Sequence, residues 1–174
     1  MRRAVSFSVL SILLLGASPP AAAEGAAYAR APAVKADKIV VLKGARRLLL
    51  LRQGAVVRAY RVALGRNPNG AKVREGDGRT PEGRYVLDWR NPRSRFYRSI
   101  HISYPNPADR ARARRLGVAP GGDIMIHGFP RRLEAPGAQH GRWDWTNGCI
   151  AVTNAEMDEI WHAVADGTPI EILP

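Results

Sequence analysis

Apolar positions along the chain fall into short runs, β-branched or alternating, set between polar stretches rich in Gly and Pro. That texture predicts strands joined by turns and loops. IVVLK (39–43) is one such run, and RLLLLRQGAVVRAYRVALG (47–65) reads as two strands joined at Gln53-Gly54, a tight Gly-containing connection typical of hairpins. In its second half Val57, Ala59 and Arg61 point one way, Arg58 and Tyr60 the other. RYVLDW (84–89), SIHISYP (99–105), DIMIHG (123–128), CIAVT (149–153) and TPIEIL (168–173) are further strands. NPNGAKVREGDGRTPEG (67–83) is a polar loop, long for a connection in a compact domain, and long ordered loops are often functional.

The helical period occurs twice. Asn106 is suited to cap a helix that Pro107 opens, ADRARARRLG (108–117) continues it, and Gly117 ends it. Its charge places it on the surface. Thr153 and Glu156 form a capping-box pattern, and Met157, Ile160, Trp161 and Val164 line one face of the following helix. Asp166-Gly167 stops it. The sum is a mainly β domain with two short helices, without the regular strand–helix alternation of a parallel α/β sheet.

The N-terminus has a different pattern. Met1-Arg2-Arg3 is followed by the apolar run VSFSVLSILLLGA and by Ala21-Ala22-Ala23, the layout of a signal peptide with a small-residue cleavage site. The apolar run is shorter than the ~20 residues that span a bilayer. Residues 1–23 are therefore expected to be a cleaved signal peptide, with a retained anchor as the alternative. Residues 24–37, rich in Ala, form a linker, and 38–174 form one domain large enough for a core. The expected location is outside the cytoplasm, in the periplasm or cell envelope, without stable membrane insertion after cleavage. Loss of Arg2 and Arg3 lowers the formal charge from +12 to +10. A basic exported domain suits an anionic surface or polymer. Its scattered arginines and export argue against nucleic acid.

Cys149 is the single cysteine, so neither an intramolecular disulfide nor a paired-cysteine zinc framework is available to it. It is inert and buried, bridged to another molecule, or reactive, and a lone thiol in an oxidising compartment favours use. It follows a turn through Asn147-Gly148 at a strand start, where flanking backbone N–H groups could hold an oxyanion. A thiol with a pKa near 8.5 needs a base. Four histidines are candidates. His127, at a strand end before Gly128, ranks first, and His140, in a loop, second. His101 is mid-strand, and His162 lies on the second helix.

These residues carry a resemblance. GDGRTPEGRY (76–85), ISYPNPAD (102–109), GGDIMIHG (121–128) and DWTNGCIAVTNAEMDEIW (144–161) occur in the order found in L,D-transpeptidase catalytic domains of the YkuD type, which the chain resembles over roughly 38–174. DWTxGCIAVTN brings it nearest the YafK-like branch. The resemblance implies a β-sandwich-like fold with peripheral helices. It implies Cys149 as nucleophile, His127 as acid/base, and Thr146, Asn147 and Gly148 shaping the acyl site. Gly128, Arg142 and Trp145 are further expected substrate contacts, with Arg131 and Arg132 as added carboxylate ligands. The group orienting His127 is expected to be a backbone carbonyl, with Asp123 and Asp144 as alternatives. No metal and no cofactor is implied. The implied substrate is the peptidoglycan stem peptide, with a wall-attached lipoprotein as a further partner, and the thioester would be resolved by an amine or by water.

Three positions depart from the family pattern. Asn147 stands where many members carry His, Ala151 where many carry Arg, and the segment 129–143 is enlarged. That segment is the expected lid or specificity element. Two readings compete with acyl transfer to an amine. One is a murein hydrolase using the same residues. The other is a non-catalytic wall-binding module built on charge and on Trp89, Trp143 and Trp145. A metalloenzyme based on His101, His127 and His140 lacks any close ligand pair.

Overall fold

The computed structural model describes residues 34–130, 141 and 143–174. The expected signal peptide, most of the linker, and Arg131, Arg132, His140 and Arg142 lie outside the described residues. Among the described residues, eight strands and two helices follow in the order β1 (Lys38–Leu42), β2 (Arg47–Arg52), β3 (Ala55–Arg61), β4 (Gly83–Asn91), β5 (Ser99–Ile102), α1 (Pro107–Arg115), β6 (Met125–His127), β7 (Ile150–Ala151), α2 (Asn154–Ala163) and β8 (Pro169–Leu173). The domain is mainly β, as the runs of apolar residues predict.

The strands form one sheet in the order β3-β2-β1-β8-β4-β5-β6-β7. β1, β2 and β3 form two successive hairpins. The second turns at Gln53 and Gly54, both with positive φ, which matches the right-handed twist of the flanking strands. β1 then runs parallel to the C-terminal strand β8, which lies antiparallel to β4. Alternation along these strands places Ile39, Val41, Leu48, Leu50, Tyr85, Leu87, Ile170 and Ile172 in the core. The β2–β3 register shifts between Leu50 and Leu51 of β2, which breaks the alternation of β3, so Tyr60 is buried while Val56 stays exposed.

The sheet curls until its two ends meet. Beyond β3, Ala63 exchanges backbone hydrogen bonds with Ala151 at 3.0 and 2.8 Å, and Gly65 pairs with Thr146. The segment before Cys149 is thereby held against the far end of the sheet.

Both helices begin with capping boxes. Asn106 and Asp109 satisfy each other's backbone N–H groups at α1, and Thr153 and Glu156 do so at α2. α1 buries only Asp109 and Ala113, and lies on the surface as its charge predicts. α2 buries Met157, Ile160 and Ala163 against the sheet. Arg90 closes the C-terminal end of α2 by donating to the carbonyls of Trp161 and Val164, each at 2.6 Å. Among the described residues no helix is long and apolar enough to cross a membrane.

Candidate active site

β6 and β7 run parallel in the register Ile126↔Ile150 and His127↔Ala151. Ile126 and Ile150 are buried in the core, so strand alternation turns Met125, His127 and Cys149 to the other face. There Met125, His127, Trp145 and Cys149 line a cleft of about 750 Å³ with Asn91, Ser94 and Phe96.

Cys149 is half-buried and carries no disulfide. Its Sγ accepts the Met125 N–H at 3.4 Å and lies 3.5 Å from the Asp123 carbonyl oxygen. Burial pushes the thiol pKa up, and the Met125 N–H offsets this only in part. His127 is 3% exposed. Its ring lies between Phe96, with centroids 4.6 Å apart, and Trp145, at 5.7 Å. Burial lowers the His127 pKa to about 4 against the opposing hydrogen bond to Gly128. Nδ1 sits 2.6 Å from the Gly128 carbonyl oxygen. A carbonyl only accepts, so Nδ1 holds the hydrogen of the neutral ring and Nε2 keeps its lone pair. The orienting group is thus a backbone carbonyl, the first of the expected options.

The other orienting options are engaged elsewhere or differently. Asp144 takes a forked contact from Arg46, at 2.7 Å to Nη2 and 3.0 Å to Nε, and accepts the Leu64 N–H at 2.8 Å. It fixes the approach to the Cys149 turn. Asp123 meets the thiol through its backbone oxygen.

The turn before Cys149 is built locally. Thr146 is buried; its Oγ1 accepts the Gly148 N–H at 3.1 Å and donates to the Cys149 carbonyl at 2.7 Å. This corrects one expectation: the Gly148 N–H is held by Thr146 and does not face outward as a donor. Asn147 is exposed and its side-chain oxygen accepts from Arg66. Gly148 has φ +135°, and a Cβ there would stand 2.7 Å from the Arg79 carbonyl oxygen.

That Arg79 contact gives the long loop 67–83 its place, as the floor of the turn. Asp77 organises it by accepting from the backbone N–H groups of Val73, Arg74 and Arg79 and from buried Lys72. Burial opposes its ionisation, yet these donors lower its pKa to about 2. Thr80 Oγ1 accepts the Gly65 N–H at 3.0 Å, and fully buried Lys43 donates to the carbonyls of Gly70 and Thr80 and to Glu82.

Gly128 is tightly enclosed: a Cβ would lie 2.4 Å from Asn154 Oδ1, which itself accepts the Phe129 N–H at 2.8 Å. His101 and His162 lie apart from Cys149. His101 pairs with Asp88, and exposed His162 bonds the Asp158 carbonyl. Trp145 joins the cleft, whereas Trp89 and Trp143 are exposed at 42% and 50%. Sequence reasoning passed over Phe96, which packs on the His127 ring. Its only signal was an aromatic residue inside the arginine-rich stretch RSRFYR (93–98). Among the described residues no group of three or more His, Cys, Asp or Glu could hold a metal ion.

Comparison with known proteins follows the same residues. The family described as YkuD, L,D-transpeptidase catalytic domain, matches residues 36–172. The chain is 34% identical over 109 residues to "Putative L,D-transpeptidase YafK" of Escherichia coli K12, covering 61% of this chain and 36% of that protein. Among solved structures, the helical cell shape determining protein Pgp2 from Campylobacter jejuni superposes with a TM-score of 0.60 at 25% identity, over 77% of this chain and 46% of Pgp2. Bd1075 of Bdellovibrio bacteriovorus gives 0.54 at 24% identity, over 81% and 49%. The L,D-transpeptidase of Xylanimonas cellulosilytica shares the fold, with a TM-score of 0.51 at 16% identity, over 81% and 62%. The chain thus spans about a third of the length of its curated relative and under half of Pgp2. The match across residues 36–172 is decisive: the chain belongs to the YkuD family of L,D-transpeptidase catalytic domains.

Proposed function

We propose that this domain transfers acyl groups of peptidoglycan stem peptides through a Cys149 thioester, with His127 as acid and base. One observation carries the reading. Cys149 and His127 open into one cleft, and the Gly128 carbonyl at Nδ1 leaves Nε2 as the basic atom of the ring.

Burial raises the thiol pKa and lowers that of the imidazole, so the resting pair is neutral thiol and neutral imidazole. The proton therefore moves as the bond forms. Nε2 takes the Sγ proton while sulfur attacks the carbonyl carbon of the third stem residue. The carbonyl electrons shift to oxygen. With the Gly148 N–H engaged by Thr146, the Cys149 N–H is the turn's donor to that oxyanion. Collapse expels the amine of the terminal residue, which receives the proton from Nε2. An acceptor amine then attacks the thioester, gives its proton to Nε2, and restores the thiol. Phe96 and Trp145 keep water from the imidazole.

The family's action on the cell wall, together with the N-terminal sequence, supports export with removal of residues 1–23 and work in the periplasm or cell envelope. A wall-attached lipoprotein is a further acceptor or substrate in this proposal.

The test incubates the chain and its Cys149→Ala variant with stem tetrapeptides and with cross-linked dimers, followed by mass spectrometry. The expected result is a covalent adduct on Cys149 and new cross-linked dimer, both absent from the variant. Cys149-dependent loss of existing cross-links or release of bound protein would assign hydrolysis instead. No Cys149-dependent change in any substrate would overturn the acyl-transfer reading.

A further inference from the structure

The pairing of β4 with β5 contains a second built feature. Leu87 faces Ile102 and Arg90 faces Ile100, so Asp88 and Trp89 together oppose the single residue His101. This is a β-bulge, which gives up ladder pairing and re-aims side chains. Here it gathers three. Asp88 Oδ1 lies 2.6 Å from His101 Nδ1, and the Trp89 indole stacks on the His101 ring with centroids 4.9 Å apart and planes 14° from parallel. One face of the indole rests on the imidazole, yet Trp89 remains 42% exposed.

The bulge belongs to the same surface as Cys149. His101 is the cross-strand partner of Met125, and Ser99 is that of His127. Cross-strand partners share a face. The row therefore runs from Trp89 and His101 through Met125, whose N–H holds the Cys149 sulfur. β4 lies three strand spacings from β7, about 14 Å.

The chemistry of this trio selects a ligand class. A rigid, backed indole takes the apolar C–H face of a flat ring. Asp88 and His101, paired through Oδ1 and Nδ1 beside the indole, add a second carboxylate oxygen and Nε2 as hydrogen-bonding groups for hydroxyl or amide N–H. An apolar face edged by hydroxyls and amides is a pyranose. We infer that the Asp88–Trp89 bulge is a saccharide-binding subsite that takes one sugar ring of the glycan strand carrying the stem peptide. The inference deepens the proposed acyl transfer and rests on its substrate. The reach agrees: a stem peptide joins the glycan at its N-terminus, and three extended residues span about 10 Å, plus the linkage to the sugar. A carbonyl of the third residue at Cys149 thus places the sugar near the distance of β4. The trio has no nucleophile of its own, since the single cysteine lies just before β7, beyond β5 and β6.

The test is calorimetric titration of the N-acetylglucosamine trisaccharide into the full chain carrying Cys149→Ala. The trisaccharide is expected to bind this parent in the millimolar range. Adding Trp89→Ala is expected to weaken binding by about tenfold or more, whereas Trp89→Phe keeps it within about threefold. Asp88→Asn falls between. Equal affinity in the parent and Trp89→Ala overturns the inference, as does no heat of binding to the parent up to about 10 mM. Cys149 is absent throughout, so a failure of the acyl-transfer reading leaves this outcome intact. As a second readout, in the chain with Cys149 intact, the ratio of kcat/KM on disaccharide-linked stem peptide to that on free peptide is expected to fall toward one in Trp89→Ala.

Discussion

Thr146 Oγ1 accepts the backbone N–H of Gly148 at 3.1 Å and so closes the turn that presents Cys149. Both groups are buried. Thr146→Val keeps the shape but removes the acceptor and the donor to the Cys149 carbonyl. A buried N–H without a partner costs about 1–3 kcal/mol. The expected outcome is a loss of that size in urea unfolding together with reduced activity, while Thr146→Ser retains both. Unchanged stability in Thr146→Val would remove the hydroxyl from this role.

The pH dependence of kcat/KM reports the resting pair. The lowered His127 pKa, about 4, leaves the imidazole able to accept a proton through the neutral range. Protonation abolishes that capacity, so the rate falls as pH falls through that value. The raised Cys149 pKa moves the alkaline limb above the ordinary thiol range. The expected profile is a broad neutral plateau with an acid limb near pH 4. An acid limb at the pKa of an ordinary imidazole, about 6.5, would contradict the buried arrangement.

Asp144 belongs to the scaffold. Its carboxylate holds Arg46, 98 positions away in sequence, and the Leu64 N–H. Asp144→Ala takes the carboxylate from the Arg46 guanidinium, which keeps the Lys43 carbonyl, and leaves the Leu64 N–H without its acceptor. The pair is partly exposed, at 27% and 13%, so the cost is reduced from that of a fully buried pair to about 1–3 kcal/mol. Denaturant unfolding is expected to show this loss. The acid limb of the rate profile stays where His127 sets it. A shift of that limb in the variant would return Asp144 to the list of groups that orient His127.

The legible parts of this chain were those encoded within a few residues. Short apolar runs, β-branched or of leucine, mark the strands, Gln53-Gly54 marks its hairpin, and both helix starts carry side-chain caps. Thr146-Asn147-Gly148 also carries a local signal, since a Thr hydroxyl can hold the N–H two residues on, and here it turns the Gly148 N–H inward. What escaped depends on distant pairing. The adjacency of β6 and β7, the Arg46–Asp144 clamp and the packing of Phe96 on His127 join segments far apart in sequence. The bulge at Asp88 and Trp89 leaves no trace in RYVLDW, because only the register against β5 reveals it.

Stability should also carry the imprint of His127. The unfolded chain takes up a proton on this residue near pH 6.5, the folded chain only near 4. Between these values the unfolded state binds more protons, so stability falls as pH falls and recovers above about 6.5. From pH 7 to about 4.5 the contribution is roughly 2 kcal/mol. His127→Gln keeps a donor for the Gly128 carbonyl and removes the titration. Urea unfolding of both proteins across this range isolates the difference, because the remaining carboxylates titrate in each. The expected result is a shallower loss of stability in His127→Gln on acidification. Parallel curves would mean that the imidazole is solvated in the folded protein and that its burial between Phe96 and Trp145 does not hold in solution.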